Sequence, residues 1–96
     1  PASFAILQRY QNPFNSTTII PLTVNTPYGD QHVELTVHDL QGRLVRTLLR
    51  ADLPGGHYVV RWDGINDQHT AVASGTYLYT LRAGAWSDTK KVVLLR

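Results

Sequence analysis

The 96-residue chain predicts an all-β fold, an immunoglobulin-like antiparallel sandwich of about seven strands. Three observations carry the prediction. Apolar and polar residues alternate in run after run, and the runs are rich in β-branched and aromatic residues. Turn signals separate these runs roughly every ten residues, the spacing of short sandwich strands. No window holds a helical period. Cysteine is absent, so burial and hydrogen bonding must hold the sandwich, with Trp62 and the tyrosines supplying bulky core in place of a disulfide.

Residues 1–16 read as a linker and entry turn, and 17–96 as the sandwich. In the first strand, Thr17 to Val24, Ile20, Leu22 and Val24 share one face and Pro21 lies on the other; a proline there predicts an edge strand or a bulge. Val33, Leu35 and Val37 then alternate with Glu34, Thr36 and His38, as in a half-buried strand. Asp39-Leu40-Gln41-Gly42 supplies a tight turn that sends the chain back through Leu44, Val45 and Leu48. Leu48, Leu49 and Leu53 also fit a short helical turn, which Pro54-Gly55-Gly56 would end. Tyr58, Val60 and Trp62 share one face of the next strand, and His57, Val59 and Arg61 the other. Asp63 to Asp67 is a polar loop, and Ser74-Gly75 launches the strand Thr76 to Leu81, whose inward set is Tyr77, Tyr79 and Leu81 rather than Leu78 and Thr80. Ala83 to Asp88 reads as a connection to the last strand, Thr89 to Leu95, where either Val92 and Leu94 or Val93 and Leu95 fill the core.

Length and charge exclude several functions. Two cores in 96 residues would each bury too little surface, so one domain is expected. No apolar stretch approaches the ~20 residues of a membrane helix, and no membrane insertion is expected. The net charge of +2 comes largely from arginines scattered singly at 9, 43, 46, 50, 61, 82 and 96, not from the concentrated basic face that binds nucleic acid. Methionine is absent and residue 1 is proline, so a piece of a longer polypeptide is expected, with its initiator and any export signal upstream.

Five segments in order carry a resemblance. Leu7-Gln8-Arg9-Tyr10-Gln11-Asn12-Pro13-Phe14-Asn15-Ser16-Thr17-Thr18-Ile19 resembles the opening LxQNYPNPFNPSTTI signature of C-terminal sorting domains of the type IX, or Por, secretion system. Val37 to Val45 resembles that family's VYDxxGRxV hairpin, and Gly55-Gly56-His57 with Trp62-Asp63-Gly64 its GxHxxxWDG segment. Ser74 to Tyr79 is similar to SGxYxY, and Lys90-Lys91-Val92-Val93-Leu94-Leu95-Arg96 to the closing KKMxLLK. The chain departs from the pattern at Ser16, which follows Asn15 where the family usually has a proline, at Gln11, and at His38 in place of a frequent tyrosine. A related Ig-like module that caps the assembling flagellar hook shares the Gly-Arg hairpin and the Trp-Asp-Gly and Ser-Gly-x-Tyr segments, without the Asn-Pro-Phe-Asn opening.

The resemblance implies a non-catalytic module fused to a large upstream cargo of a Gram-negative bacterium. It would direct that cargo from the periplasm through the outer-membrane secretion machinery to the cell surface or medium, often with removal of the module by a sortase-like peptidase. Lys90, Lys91, Val92, Val93, Leu94, Leu95 and Arg96 are then the recognised signal, and Asn12, Pro13, Phe14 and Asn15 the junction with the cargo. The physical reading of the terminal segment agrees: an end this apolar has to be buried, paired or recognised, and an edge strand with a basic entrance suits recognition by strand pairing.

Residues that could carry other chemistry do not converge. His32, His38, His57 and His69 lack the spacing of a helical zinc site. Ser74-Gly75 lacks a nucleophile elbow, and Glu34 is the single glutamate. No catalytic site and no cofactor are expected. Asp63, Asn66 and Asp67 are close enough to offer oxygens to a calcium ion, against the simpler reading that they cap their own loop. Trp86, on the expected connection, is the candidate for sugar stacking, which would make the chain a carbohydrate-binding or spacer module of a secreted polysaccharide hydrolase.

Overall fold

The computed structural model describes residues 3–6, 17–26 and 29–95. Seven strands follow one another: β1 (Ser3–Ile6), β2 (Thr18–Asn25), β3 (Gln31–Asp39), β4 (Leu44–Leu53), β5 (Gly56–Trp62), β6 (Gly75–Ala83) and β7 (Trp86–Leu94). They form a three-stranded sheet in the order β1-β2-β5 and a four-stranded sheet in the order β4-β3-β6-β7, with every pair antiparallel. The immunoglobulin-like sandwich expected from the sequence is the architecture found.

The alternation decides what lies between the sheets. Ile20, Leu22 and Val24 of β2 meet Val33, Leu35 and Val37 of β3, Trp62 of β5, Tyr77, Tyr79 and Leu81 of β6, and Val92 and Leu94 of β7 in one buried cluster. The aromatic set on β6 is the inward one, and on β7 the inward pair is Val92 and Leu94. The Trp62 and Tyr77 rings meet edge to face with centroids 5.4 Å apart, an arrangement worth about 1 kcal/mol beyond the area they bury. Each ring keeps its polar tip satisfied: Trp62 Nε1 donates to the Ile65 carbonyl at 3.1 Å and Tyr77 Oη to the Ala73 carbonyl at 2.7 Å.

Three sequence readings change, and one open alternative is decided in favour of the hairpin strand. Ser3–Ile6, read as part of a linker, form β1 and pair with β2. Pro21 does not lie on an edge strand, because β2 is the middle strand of its sheet. Among the described residues Pro21 is paired with Val59 of β5, and the described β1 pairs run from Ser3↔Asn25 to Ile6↔Leu22. Leu48, Leu49 and Leu53 continue β4 as strand rather than as a helical turn. The connection before the last strand shrinks to Gly84-Ala85, because Gly84 at φ 61° turns the chain tightly enough for Trp86 to pair with Ala83 and begin β7.

Candidate functional site

β7 is an edge strand of the four-stranded sheet. It pairs with β6 over nine consecutive positions, Trp86↔Ala83 through Leu94↔Gly75, without a register shift. Residues directly opposed on two strands point to the same face, so the register assigns each β7 side chain a side. Trp86, Asp88, Lys90, Val92 and Leu94 oppose the core-facing set Ala83, Leu81, Tyr79, Tyr77 and the first residue of β6, and point inward. Ser87, Thr89, Lys91 and Val93 oppose Arg82, Thr80, Leu78 and Thr76 and point out.

The strand therefore has two unlike halves. In the first, two charges point toward the core side of an edge: Lys90 Nζ lies 3.8 Å from Asp88 Oδ2, and both side chains are about three-tenths exposed. In the second, Val92 and Leu94 are fully buried, Val93 is half-buried and Leu95, just after the strand, is 47% exposed. Lys91 is exposed and makes no ion pair among the described residues. The predicted segment Lys90 to Leu95 is thus gathered on one edge, while Arg96 and the junction residues Asn12, Pro13, Phe14 and Asn15 lie outside the described residues.

The opposite edge, β4, is closed. Two register shifts against β3, between Leu35 and Thr36 and between Val37 and His38, leave Leu48 and Val45 as extra residues that bend the strand. The loop after β5 then caps it: Asp67 donates its backbone N–H to the Val45 carbonyl at 2.9 Å, and Asp67 Oδ1 accepts the Thr47 N–H at 3.1 Å. Arg46 reaches into the same loop, donating to the Ile65 carbonyl at 3.1 Å, the acceptor that Trp62 also uses, with Asp63 Oδ1 at 3.5 Å. The Trp-Asp-Gly segment is in this way the start of an edge cover anchored by a buried indole. The sequence reading missed Arg46 and the reach of Asp67 to β4, which no local pattern encodes.

Asp63, Asn66 and Asp67, the calcium candidates, have these other employments. Asn66 Oδ1 accepts the N–H groups of Gln68 and Thr70, Asp63 faces Arg46, and Asp67 accepts from β4. His69 completes the turn with a φ of 64°. Trp86, the sugar-stacking candidate, is half-buried with its ring packed against the core.

The histidines are dispersed. His57 Nδ1 meets Thr23 Oγ1 at 3.0 Å across β2 and β5. His32 lies between two acids on the outer face, with Nδ1 2.7 Å from Asp52 Oδ1 and Nε2 3.2 Å from Glu34 Oε2. These hydrogen bonds, the one to Asp52 foremost, raise its pKa above the ordinary 6.5. At the β3–β4 turn, Asp39 Oδ1 accepts the N–H groups of Gln41 and Arg43 at 2.9 Å each, while Oδ2 takes the Arg43 Nε proton at 2.8 Å. The Arg43 amide and then its guanidinium hold the Asp39 carboxyl below its ordinary value, and Gly42 at φ 85° closes the turn. The cleft of about 360 Å³ between this hairpin and the Ser74-Gly75 turn therefore contains an aspartate already consumed by its own turn.

Known proteins are similar to this chain in sequence and in fold. The family model for the FlgD Ig-like domain matches residues 9–88. The basal-body rod modification proteins FlgD of Salmonella typhimurium and Salmonella typhi are each 34% identical over 68 residues, covering 65% of this chain. The matched region is 29% of the length of those relatives. Among solved structures, dimeric latent PorU from Porphyromonas gingivalis superposes with a TM-score of 0.70 at 20% identity, over 98% of this chain and 9% of that one. The alkylpurine DNA glycosylase AlkC of Pseudomonas fluorescens, bound to DNA with an abasic site analog, superposes with a TM-score of 0.56 at 12% identity, over 100% of this chain and 31% of that one. At these identities the structural likenesses speak for the fold alone.

Proposed function

The chain belongs to the FlgD Ig-like domain family, and we propose that within that family it serves as a non-catalytic sorting and anchoring module of the type IX secretion system. In this reading it directs a covalently fused cargo protein from the periplasm across the outer membrane to the cell surface or medium. Its partners are the outer-membrane machinery and a sortase-like peptidase.

One observation carries the proposal: the segment Lys90 to Leu95, similar to the closing motif of the sorting domains, coincides with an unbulged sheet edge that keeps Lys91 and Leu95 exposed while Val92 and Leu94 anchor it. A signal needs such a division. Side chains that hold the strand in its own sheet must differ from those a receptor reads, and strict alternation separates the two sets.

The test is a fusion of the 96-residue chain to a periplasmic reporter, expressed in a host with the type IX machinery and in the same host without it. Reporter on the surface or in the medium of the first strain alone is the expected result. Equal distribution in the two strains would refute the proposal. A second reading follows the 34% identity to basal-body rod modification proteins, in which the domain serves assembly of a cell-envelope structure. It predicts that the reporter stays in the periplasm of both strains.

A further inference from the structure

We propose that the second half of β7, Lys91 to Leu95, is a strand-addition site for an extended segment of a partner protein that carries alternating aliphatic side chains and one carboxylate. The inference rests on the sorting reading and gives that edge a binding mode and a partner chemistry. It starts from the state of each sheet edge. The β4 edge is bulged and its Val45 carbonyl and Thr47 N–H are taken by the loop after β5. Of β1, residues Ser3–Ile6 are described, and they pair with β2. β5 remains as the rival, with Val59 69% exposed between outward His57 and Arg61.

Within β7 the two halves differ in what an added strand would meet. Beside Asp88 and Lys90 it would cover a part-exposed ion pair that points to the inner side of the edge, and inward charges are a device by which sheets repel such additions. Beyond Lys90 that obstacle ends. Val92 and Leu94 are buried, and the outward row continues through half-buried Val93 to exposed Leu95, next to half-buried Leu78 on β6. This is a short apolar margin on the outer face, contiguous with an edge that no described strand pairs.

The charge at its entrance fixes the rest. Lys91 stands on the outward row without an acidic partner among the described residues, so a carboxylate on the added strand would face it, and aliphatic side chains would lie beside Val93 and Leu95. Every strand pair among the described residues is antiparallel. An added antiparallel strand would therefore read, from its N-terminus, aliphatic, any residue, aliphatic, any residue, acidic. Backbone hydrogen bonds would supply affinity, and the alternate side chains the choice of partner.

The experiment titrates the isotope-labelled chain with an end-capped peptide of sequence Gly-Val-Thr-Val-Thr-Glu-Gly and with its analogue carrying Lys in place of Glu, followed by NMR shifts and amide exchange. The expected result is slowed exchange confined to residues 91–95 with the Glu peptide, and an affinity about tenfold weaker with the Lys peptide. Lys91→Glu should reverse that preference, and Lys91→Gln should erase it; both changes sit on an exposed side chain, and the unaltered shifts of β2 and β5 report an intact fold. Protection at the β5 edge, protection along Asp88 and Lys90, absence of protection, or a preference indifferent to residue 91 would each overturn the inference. The reporter assay separates the two levels: export without peptide binding sinks strand addition and leaves sorting standing, and binding without export does the reverse.

Discussion

The edges β4 and β7 bound the same sheet and solve the problem of an unpaired backbone in opposite ways. β4 is bent by two bulges and covered by a loop that supplies a donor to Val45 and an acceptor to Thr47. β7 is regular over nine pairs, and among the described residues its inward charges stop at Lys90. The loop that closes β4 hangs from Trp62 and Arg46, so closure there is built into the core. Among the described residues, the part of β7 without an inward charge is correspondingly local, the five residues that follow Lys90.

The largest expected effect tests whether the open edge is also firmly docked. Leu94 is fully buried at the end of β7, and Leu94→Ala should cost about 2–5 kcal/mol in urea unfolding. A cost below about 1 kcal/mol would mean that the strand end is not held by the core, and the picture of an anchored yet open edge would break.

Asp67→Ala addresses the closed edge. It removes the acceptor of the Thr47 N–H, and the loss should be about 1 kcal/mol, with faster amide exchange at Thr47 and no change along β7. Unchanged exchange at Thr47 would show that the loop does not close β4.

Removing the inward charges should extend the open half of β7. In the double variant Asp88→Val with Lys90→Val, stability should move by no more than about 0.5 kcal/mol while sedimentation velocity shows concentration-dependent association. A variant that stays monomeric at every concentration would deny those charges their guarding role.

The smallest effect separates the edges by pH. His32 on β3 is hydrogen-bonded to Asp52 on β4, and its folded pKa is raised, so its contribution to stability is complete below the unfolded value near 6.5 and is lost as pH rises through the folded value. NMR titration should give His32 a midpoint above 6.5 that falls toward it in Asp52→Asn, with the β7 amide shifts unmoved by the same titration. A midpoint insensitive to Asp52→Asn would remove this link between β3 and β4.

Alternation makes most of the fold legible, because a period of two reports directly which side chains leave water. Hence the residue pattern alone assigns Tyr77, Tyr79 and Leu81 to one face, and likewise Tyr58, Val60 and Trp62. What escapes is what alternation does not encode. The bulges of β4 shift register without changing composition, so its leucines imitate a helical turn. Asp88 and Trp86 resemble loop because a charge and a half-buried aromatic break the pattern at the very place where an edge strand needs inward charge. The candidate edge is visible in the sequence as an apolar run after a basic pair; its division at Lys90 emerges only from the pairing register.

Recognition at the second half of β7 is tested most directly by a matched pair of exposed leucines on the two edges, Leu95 at 47% and Leu44 at 53% exposure. Reporter export in a host with the type IX machinery should fail with Leu95→Asp, which sets a negative charge beside the margin that awaits an acidic partner, and should proceed with Leu44→Asp on the closed β4 edge. Export of both folded variants, or arrest of both, would contradict the assignment of recognition to β7.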